Sequence, residues 1–506
     1  MNNEAVNKKL IFGFVFACLI VLGLLVKAPS SKAIPAFSRK YQTSCTTCHN
    51  NYPELNDFGE AFKKNGFKFP TDDETFVKQD PVMLGSKAQK EAFPGAVYPG
   101  EIPGSLPIAF RYEGNLNWNA KQPAEVQATG YVPRTDLFVP NTFTIISAGS
   151  FGPNFSFWID DDISAGASGA TGGLGDAWLK YNDVGRFFHL PTNSLNVRFG
   201  QFEPDLPFTQ ARTPYLTGYD VFGQANVAQN ACSGAPPPAS SSCQTANNGF
   251  VLGSSQRGIE FGGYPNNGNF NWSVAITDGT GSAYGLANAL AARNTKDVYL
   301  RASYKFNLER DPASRHGIQA AGPTGPRDHT SIRVGGFYYY GINQQNFGGS
   351  SFTSLGLTNT INEPFYRAGA DLRFRYRKME LYGVGMVGHD NNHLLSADAT
   401  GLVGTLTSTQ AVTFSGGFVA FNYWIHPWLI ATVRDDFVNS PSDYYNLVSQ
   451  YRTRNDFRPG YQVLLRANIK VVGEYTRHFG VPYQDALGNT LYYRPNTFLT
   501  GIDYVF

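Results

Sequence analysis

The stretch YRAGADLRFRY, residues 366–376, alternates without a break between apolar or aromatic side chains and Arg, Asp or Gly. The stretch VYLRASYKF, residues 298–306, repeats the same period of two. Successive side chains of a β-strand point to opposite faces, so each stretch predicts a strand with one lipid-compatible and one ionic face. A soluble sandwich would also alternate, but its charged face would point outward to water. Two further observations, the lengths of the connections and the aromatic last strand, favour a barrel that crosses a membrane.

Similar runs continue to the C terminus and predict about sixteen strands, starting near residues 106, 142, 155, 175, 194, 256, 269, 296, 330, 364, 379, 412, 428, 459, 469 and 491. Segments 183–193 and 307–329 break the pattern. The connections after odd-numbered strands are mostly long, and several of the others are tight. Long loops at one end and short turns at the other are typical of outer-membrane barrels. We therefore predict an all-β fold, with an antiparallel transmembrane barrel of the bacterial outer membrane over residues 105–506.

Composition supports this interpretation. The chain has 53 Gly, 28 Tyr and 39 Phe, only 16% charged residues and a net charge of +2, so nothing suggests binding to nucleic acid.

The last strand carries Phe498, Ile502, Tyr504 and the terminal Phe506 on one face, as in the recognition signal of outer-membrane barrels. Trp424 and Trp428 flank a tight turn and predict part of an interfacial aromatic girdle.

The N terminus reads as an export signal. Lys8 and Lys9 precede an apolar run from Leu10 to Val26, and a small-x-small site follows at residues 31–33. These features predict a signal peptide, residues 1–33, cleaved after Ala33. A retained membrane anchor is the alternative, because about 17 apolar residues are the lower limit for spanning a bilayer.

A Cys-x-x-Cys-His motif follows, formed by Cys45, Cys48 and His49. It is the attachment signal for c-type haem, in which the two thiols bond covalently to the macrocycle and the imidazole binds iron axially. A zinc half-site would need a second Cys/His pair nearby, and a thioredoxin-like pair would need a βαβ context. The motif therefore predicts one covalent haem c in a small domain with a Pro-Gly linker, residues 34–104.

Residues Pro53 to Lys64 predict a short helix, with Leu55, Phe58 and Phe62 on one apolar stripe and Gly66 as its stop. Met83 is a candidate sixth ligand of the iron. A barrel histidine, a lysine, water or an open position are the alternatives. A unit of this size can hardly build a full core alone, so we expect it to use the walls of the barrel.

Two further cysteines, Cys232 and Cys243, lie close together in a Pro/Ser/Ala-rich segment and predict a loop disulfide in an oxidising compartment. Two free thiols are the alternative.

A barrel of this size encloses a lumen. Its predicted inward charges are Arg198, Glu260, Arg301, Lys305, Arg367, Asp371, Arg373, Arg375, Lys470 and Glu474. Porin interiors are polar in any case, so these charges need no special function. Our hypothesis is that they hold the haem segment inside the lumen, where it plugs the pore.

The run PAFSR at 35–39, the haem motif, and Tyr52–Pro53–Glu54–Leu55 continuing to Asn65–Gly66 closely resemble one family. It is the fused monohaem cytochrome–porins of the bacterial outer membrane, which include proposed iron(II) oxidases. The resemblance implies that electrons enter at the cell surface, pass through the haem and reach a periplasmic cytochrome or other carrier. It carries Cys45, Cys48 and His49 over as haem ligands and nothing more.

The leading functional hypothesis is thus an electron conduit in the outer membrane. Fe(II) as the extracellular donor, and with it an iron(II):cytochrome c oxidoreductase activity, follow from the resemblance alone. A diffusion porin with a haem-containing plug and a conduit that passes electrons outward are the alternatives. His389, Asp390 and His393 could offer iron a transient site, although a polar surface loop explains them as well.

Overall fold

A computed structural model describes residues 36–69, 73, 77–78, 82–83, 85–95, 101–104, 106–121, 133–152, 154–166, 169–209, 213–223, 227, 248, 250–265, 268–279, 295–308, 330–346, 360–392, 395–397, 403–406, 410–440, 454–479 and 495–506. The predicted signal peptide and the predicted disulfide Cys232–Cys243 lie outside these ranges. No helix in the described part of the chain is long and apolar enough to span a membrane.

The N-terminal region contains short elements only. They are α1 Ala36–Tyr41, a 3₁₀ turn Cys45–Thr47, β1 His49–Asn51, β2 Glu54–Leu55, α2 Asp57–Lys64, β3 Val82–Met83, α3 Lys87–Ala92 and β4 Glu101–Ile102. The strands pair locally, β1 with β2 and β3 with β4. Strand β4 lies in the predicted Pro-Gly linker, so part of this linker is ordered by pairing with β3.

The predicted helix starts later than Pro53. Residues Glu54–Leu55 pair with His49–Asn51 as a strand, and α2 begins at Asp57. The side chain of Asn56 caps this helix by accepting a hydrogen bond from the Gly59 N–H at 2.8 Å. Gly66 adopts φ +69°, which confirms it as the stop.

Sixteen strands form one closed antiparallel barrel. They are β5 Ile108–Asn119, β6 Thr135–Phe151, β7 Phe155–Gly166, β8 Gly169–Tyr181, β9 Asn196–Phe202, β10 Gln256–Gly263, β11 Phe270–Thr277, β12 Asp297–Asn307, β13 Ser331–Asn346, β14 Thr360–Tyr376, β15 Met379–Asn392, β18 Gln410–His426, β19 Leu429–Asn439, β20 Arg454–Arg466, β21 Ile469–His478 and β22 Thr497–Val505. A separate hairpin comprises β16 Leu395–Ala397 and β17 Val403–Leu406.

The prediction of sixteen strands is confirmed, one for one. The largest error is at β6, which starts at Thr135 rather than at 142. Several strands, including β14 and β20, also start earlier than predicted, at the long-loop end of the barrel. At that end the strands stay hydrogen-bonded to their neighbours beyond the lipid layer, where the outward-facing side chains need not be apolar.

The barrel closes through its last strand. β22 pairs with β5 in the register Thr500↔Leu116, and the terminal Phe506 N–H donates to the Phe110 carbonyl at 2.9 Å. The Phe506 and Phe110 rings also lie 5.5 Å apart between their centroids. The aromatic C-terminal ending therefore lies at the seam that closes the cylinder.

The two faces of the barrel wall are opposite in character to those of a soluble protein. On β12, Tyr299 and Arg301 are buried, whereas Leu300 and Phe306 are 41% and 49% exposed. In a closed sheet every strand is hydrogen-bonded along both edges. An apolar outer face and a charged interior suit a barrel with lipid outside and protein inside. The protein is a transmembrane β-barrel of the bacterial outer membrane.

The prediction for Trp424 is wrong. Trp428 is 51% exposed on the outer face, as expected of an interfacial girdle, but Trp424 is buried at 3% exposure. On β18 the even-numbered residues face inward, as the buried Phe418 and Asn422 show. The period of two therefore places Trp424 in the interior.

Residues 36–69, which we call the lumen segment, lie inside the barrel. Their contacts reach inward-facing side chains all around the wall, including Trp178 on β8, Lys305 on β12 and Lys470 on β21. Residues 203–209 and 213–223, which we call the inward loop, also fold into the lumen. This loop contains α4 Asp220–Gly223, and its Tyr219 ring stacks on Phe418 at 4.0 Å.

Candidate functional site

The Cys-x-x-Cys-His motif forms a compact turn at the start of the lumen segment. Cys45–Thr47 is one turn of 3₁₀ helix, and the Cys48 N–H donates to the Cys45 carbonyl at 3.1 Å. Asn56 lies after this turn in the chain, is fully buried and forms hydrogen bonds to it. Its side-chain amide donates to the Thr47 carbonyl at 3.0 Å, and its backbone N–H donates to the Cys48 carbonyl at 2.9 Å. Asn56 therefore joins the motif to helix α2.

Helix α2 approaches the Cys-x-x-Cys-His turn so closely that a residue with a side chain would not fit at position 59. A Cβ added at Gly59 would collide with the carbonyl oxygen of Cys48 and would also meet the Leu55 side chain at 2.9 Å. Glycine removes that obstacle, because it has no side chain. The Phe58 and Phe62 rings of the same helix are buried, as their predicted stripe requires.

His49 is held in the tautomer that an axial ligand needs. Its Nδ1 lies 3.1 Å from the Pro53 carbonyl oxygen and 3.3 Å from that of Glu54. A carbonyl can only accept, so Nδ1 carries the proton and Nε2 keeps its lone pair. Burial is the main cause that lowers the pKa of His49 to about 4, so the imidazole is neutral at pH 7. Metal-bound histidines have this arrangement, with one nitrogen donating to a carbonyl and the other free for the metal.

Cys45 and Cys48 are free, half-buried thiols. Burial raises the pKa of both, and that of Cys48 to about 12. Burial therefore favours the neutral form of both thiols. Within the described residues, no group of three or more His, Cys, Asp or Glu side chains is arranged to hold a metal ion.

A cavity of about 500 Å³ adjoins Cys45, Cys48 and His49 and extends to the inward face of the barrel. Its lining includes an aromatic cluster from the lumen segment and the wall: Phe37, Tyr41, Phe62, Phe67, Phe69, Trp158 and Trp178. Two thiols, an imidazole with one free nitrogen and an apolar wall are what a covalently bound haem requires. The residues present therefore fit this group.

The acidic side of α2 is paired with cations of the barrel wall. Asp57 lies 2.9 Å from both Lys305 Nζ and Arg375 Nη1, and Glu60 lies 3.2 Å from Arg333 Nη1. These contacts agree with the hypothesis that wall charges hold the lumen segment. Sequence reasoning missed Arg333, although it lies in a run of period two on β13 with the buried Phe337 and Tyr339.

These ion pairs change the acidity of the lumen segment. Burial taken alone raises the pKa of Asp57, but Lys305, Arg375 and Arg333 together outweigh it and hold that pKa well below the ordinary value. The pKa of Glu60 is lowered in the same way against its burial, chiefly by Arg333. Both carboxylates are therefore ionised throughout the neutral range.

The other predicted inward charges also face the interior, but they bind residues of the barrel wall or of the inward loop. Arg301 pairs with Asp371, Arg367 with Asp390, and Arg198 with Glu260. Glu474 accepts from the Thr217 hydroxyl in the inward loop at 2.7 Å. Of the predicted set, Lys305, Arg373, Arg375 and Lys470 contact the lumen segment.

Two further predicted sites have different outcomes. Met83 belongs to β3, but its side chain lies outside what the structure describes, so its role as sixth ligand stays a prediction. His389 and Asp390 point to opposite faces of the wall, since Asp390 pairs with Arg367 inside whereas His389 stacks on Tyr366 at 5.2 Å. These two residues therefore do not form one iron site; His393 lies outside the described residues.

Sequence reasoning also missed the inward loop. Phe208 and Tyr219 of this loop line the cavity together with Tyr382 of β15. The Phe208 and Tyr382 ring centroids are 4.7 Å apart. The loop was predicted only as a long connection, and its aromatic residues carry no periodic signal that would have shown their direction.

Comparison with solved structures finds porins. The chain is similar to OmpF of Salmonella typhi, solved in complex with daunomycin, at 9% identity and a TM-score of 0.46, over 79% of this chain and 97% of that one. An anion-selective porin from Comamonas acidovorans aligns at 11% identity and a TM-score of 0.44, over 79% and 98%. The outer membrane channel DcaP of Acinetobacter baumannii aligns at 12% and 0.42, over 79% and 96%. No family model and no curated protein matches the chain.

Proposed function

We propose that this porin-like barrel is an electron conduit of the outer membrane. It takes electrons from an extracellular donor, Fe(II), and passes them through one covalently bound haem c to a periplasmic carrier. The observation that carries the proposal is the position of the Cys-x-x-Cys-His turn. It faces a cavity inside the barrel, and the Nδ1 of His49 is already bound to backbone carbonyls.

Each part of the lumen segment has a role in this proposal. Cys45 and Cys48 tether the haem, and His49 offers Nε2 to its iron. The aromatic cluster excludes water from the cavity, and burial of this kind tunes the potential of a redox group. The ion pairs of Asp57 and Glu60 hold the segment within the wall. When bound, the haem supplies reversible one-electron chemistry.

Diffusion through an open pore is the competing function, and the filling of the lumen argues against it. The lumen segment and the inward loop both enter the barrel. Lys470 donates to the Tyr52 carbonyl of the first at 2.6 Å and to the Pro214 carbonyl of the second at 2.8 Å. A solute passing between the lumen segment and the inward loop would have to separate segments that one buried ammonium joins.

The first experiment tests the cofactor. The full chain is expressed in a host with c-type haem maturation, and its mass is compared with that of a Cys45→Ala/Cys48→Ala variant. We expect a porphyrin increment in the parent protein alone. A parent protein without the increment would contradict the proposal.

The second experiment tests the conduit and its direction. Liposomes carry the protein in the membrane and an oxidised soluble c-type cytochrome inside, and Fe(II) is added outside. We expect the enclosed cytochrome to become reduced with the parent protein and not with the double-cysteine variant. A haem that stays oxidised with Fe(II) across the relevant pH range would remove iron as the donor. Oxidation of an enclosed reduced cytochrome by external Fe(III), without the forward reaction, would reverse the direction.

A third measurement separates the conduit from a porin. Sugar efflux from the same liposomes should be slow for the parent protein, because its lumen is filled. Rapid efflux, equal in the parent and in the double-cysteine variant, would favour a diffusion channel with a haem-containing plug.

A further inference from the structure

Glu380 of β15 binds two arginines of β14 at once inside the barrel wall. Its Oε1 atom accepts from the Nε of Arg373 at 2.6 Å and from the Nε of Arg375 at 2.8 Å. Strand register places Glu380 directly opposite Arg375, and the period of two along β14 turns both arginines inward. All three side chains are buried. Because a guanidinium is a rigid, planar fork, a bond at its Nε also fixes the direction of its two Nη groups.

The Nη groups of both arginines reach the lumen segment. Arg373 Nη2 donates to Glu54 Oε1, and Arg375 Nη2 lies 3.7 Å from the same oxygen. A carboxyl group can accept from arginine in either protonation state, so these contacts do not depend on the ionisation of Glu54. Arg375 Nη1 also lies 2.9 Å from Asp57. One wall carboxylate therefore orients the donors that hold Glu54.

Glu54 belongs to the hairpin that carries His49. Strands β1 and β2 pair in the register His49↔Leu55 and Asn51↔Glu54. The carbonyl oxygens that accept the Nδ1 proton of His49 are those of Pro53, at 3.1 Å, and of Glu54 itself, at 3.3 Å. They belong to the two peptide groups that flank the Cα of Glu54. Movement of the Glu54 side chain relative to the wall therefore changes the geometry, and so the strength, of the hydrogen bond that His49 donates.

We propose that Glu380 is a positioning residue for His49. Through the two arginines and Glu54, it fixes the hydrogen bond of the Nδ1 proton and so tunes the potential of the haem. The inference rests on the proposed function, because it concerns the axial ligand of the same cofactor. A stronger hydrogen bond at Nδ1 makes the imidazole a better electron donor to iron, which favours the oxidised haem and lowers its potential.

The first test reads this hydrogen bond without the haem. Isotope-labelled histidine is incorporated into the full-length Cys45→Ala/Cys48→Ala variant in detergent, and the His49 signal is assigned by its loss in His49→Gln. The rate at which the Nδ1 proton exchanges with water reports the strength of its hydrogen bond. Glu380→Gln and Glu380→Asp should each speed this exchange about fivefold, which corresponds to a loss of about 1 kcal/mol of hydrogen bonding. Aspartate keeps the charge, but it is one methylene too short to bind both arginines as Glu380 does.

Asp371→Asn is the matched control in the same background. Asp371 is also a buried wall carboxylate, lies on the strand of the two arginines and pairs with Arg301 at 2.9 Å. Its substitution removes the same charge but leaves the contacts between the arginines and Glu54 in place. The exchange rate should therefore stay unchanged. Equal acceleration in Asp371→Asn and Glu380→Gln would overturn the proposal, because general loosening of the barrel would explain both.

The second test measures the midpoint potential of the haem-loaded chain. In Glu380→Gln a weaker hydrogen bond and the loss of a negative charge both raise the potential. Glu380→Asp separates these two causes, because it retains the charge. A positioning role predicts a raised potential in Glu380→Asp as well. A rise in Glu380→Gln alone, with Glu380→Asp equal to the parent, would assign the effect to charge and overturn the proposal.

Arg373→Lys keeps the tests decisive if the variants at Glu380 fail to fold. Lysine retains the positive charge but lacks the fork that joins Glu380 to Glu54. It should raise both the exchange rate and the potential. Unchanged values in every folded variant at positions 373 and 380 would overturn the proposal. A parent chain that carries no haem would instead contradict the proposed function, whereas the exchange of the His49 proton would still test the positioning role.

Discussion

The ammonium of Lys470 donates a hydrogen bond to the backbone carbonyl of Tyr52 over 2.6 Å, and so ties the lumen segment to strand β21. The same ammonium binds the Pro214 carbonyl of the inward loop and lies 3.3 Å from Asp503 of β22. Lys470 is 2% exposed. A single buried cation therefore joins the wall to both segments that fill the barrel.

We predict that Lys470→Met destabilises the protein by roughly 2–3 kcal/mol, because two buried carbonyls lose a charged donor. Urea unfolding of the purified protein in detergent measures this loss. Lys296→Met removes an exposed cation and should stay within about 0.5 kcal/mol of the parent. Equal losses in the two variants would show that Lys470 has no special role.

A second prediction concerns the ion pair of Asp57 with Lys305. Asp57→Asn leaves Lys305 and Arg375 with less compensation inside the barrel, and the expected loss is about 3 kcal/mol. In a double-mutant cycle with Lys305→Gln, the two losses should couple by about 1 kcal/mol or more, since the side chains are in contact. Additive losses would mean that the pair does not hold the segment.

Acid should weaken the attachment of the lumen segment. The pKa of Asp57 and of Glu60 is depressed in the folded protein, in each case by wall cations that outweigh burial. The resulting stabilisation is complete above the ordinary carboxyl pKa of about 4 and is lost as the pH falls toward the folded values. Urea unfolding between pH 7 and pH 2 should therefore show a decline that begins near pH 4. Asp57→Asn should flatten it; a parent curve that rises as the pH falls below 4 would contradict the assignment.

Gly59→Ala should lower the yield of covalently bound haem. The new methyl group would collide with the Cys48 carbonyl, so either helix α2 or the Cys-x-x-Cys-His turn must move. Gly95→Ala is the matched control, because a Cβ there meets nothing within 4 Å. The haem content per polypeptide, from absorbance and mass, measures the effect. Equal haem content in the two variants would show that the close approach of α2 does not matter for attachment.

Local pattern was enough to predict the barrel. Period two along residues 298–306 and 366–376 assigns each side chain to a face, and the same rule could have assigned Trp424 to the interior and separated His389 from Asp390. The start of α2 was harder to predict. Pro53 suits a first helical turn, but Asn56 offers a better cap, and pairing of Glu54–Leu55 with His49–Asn51 competes with the helix.

The sequence by itself thus determined the strands, their two faces and the presence of the Cys-x-x-Cys-His turn, because each depends on residues that are neighbours in the chain. Only the tertiary structure decided which wall cations meet Asp57, that Lys470 reaches Tyr52, and that Lys180 lies opposite Arg198. Those contacts depend on strand register, on barrel closure and on the path of two segments through the lumen. Hydrogen bonds between distant parts of the chain set all three, and no local pattern encodes them.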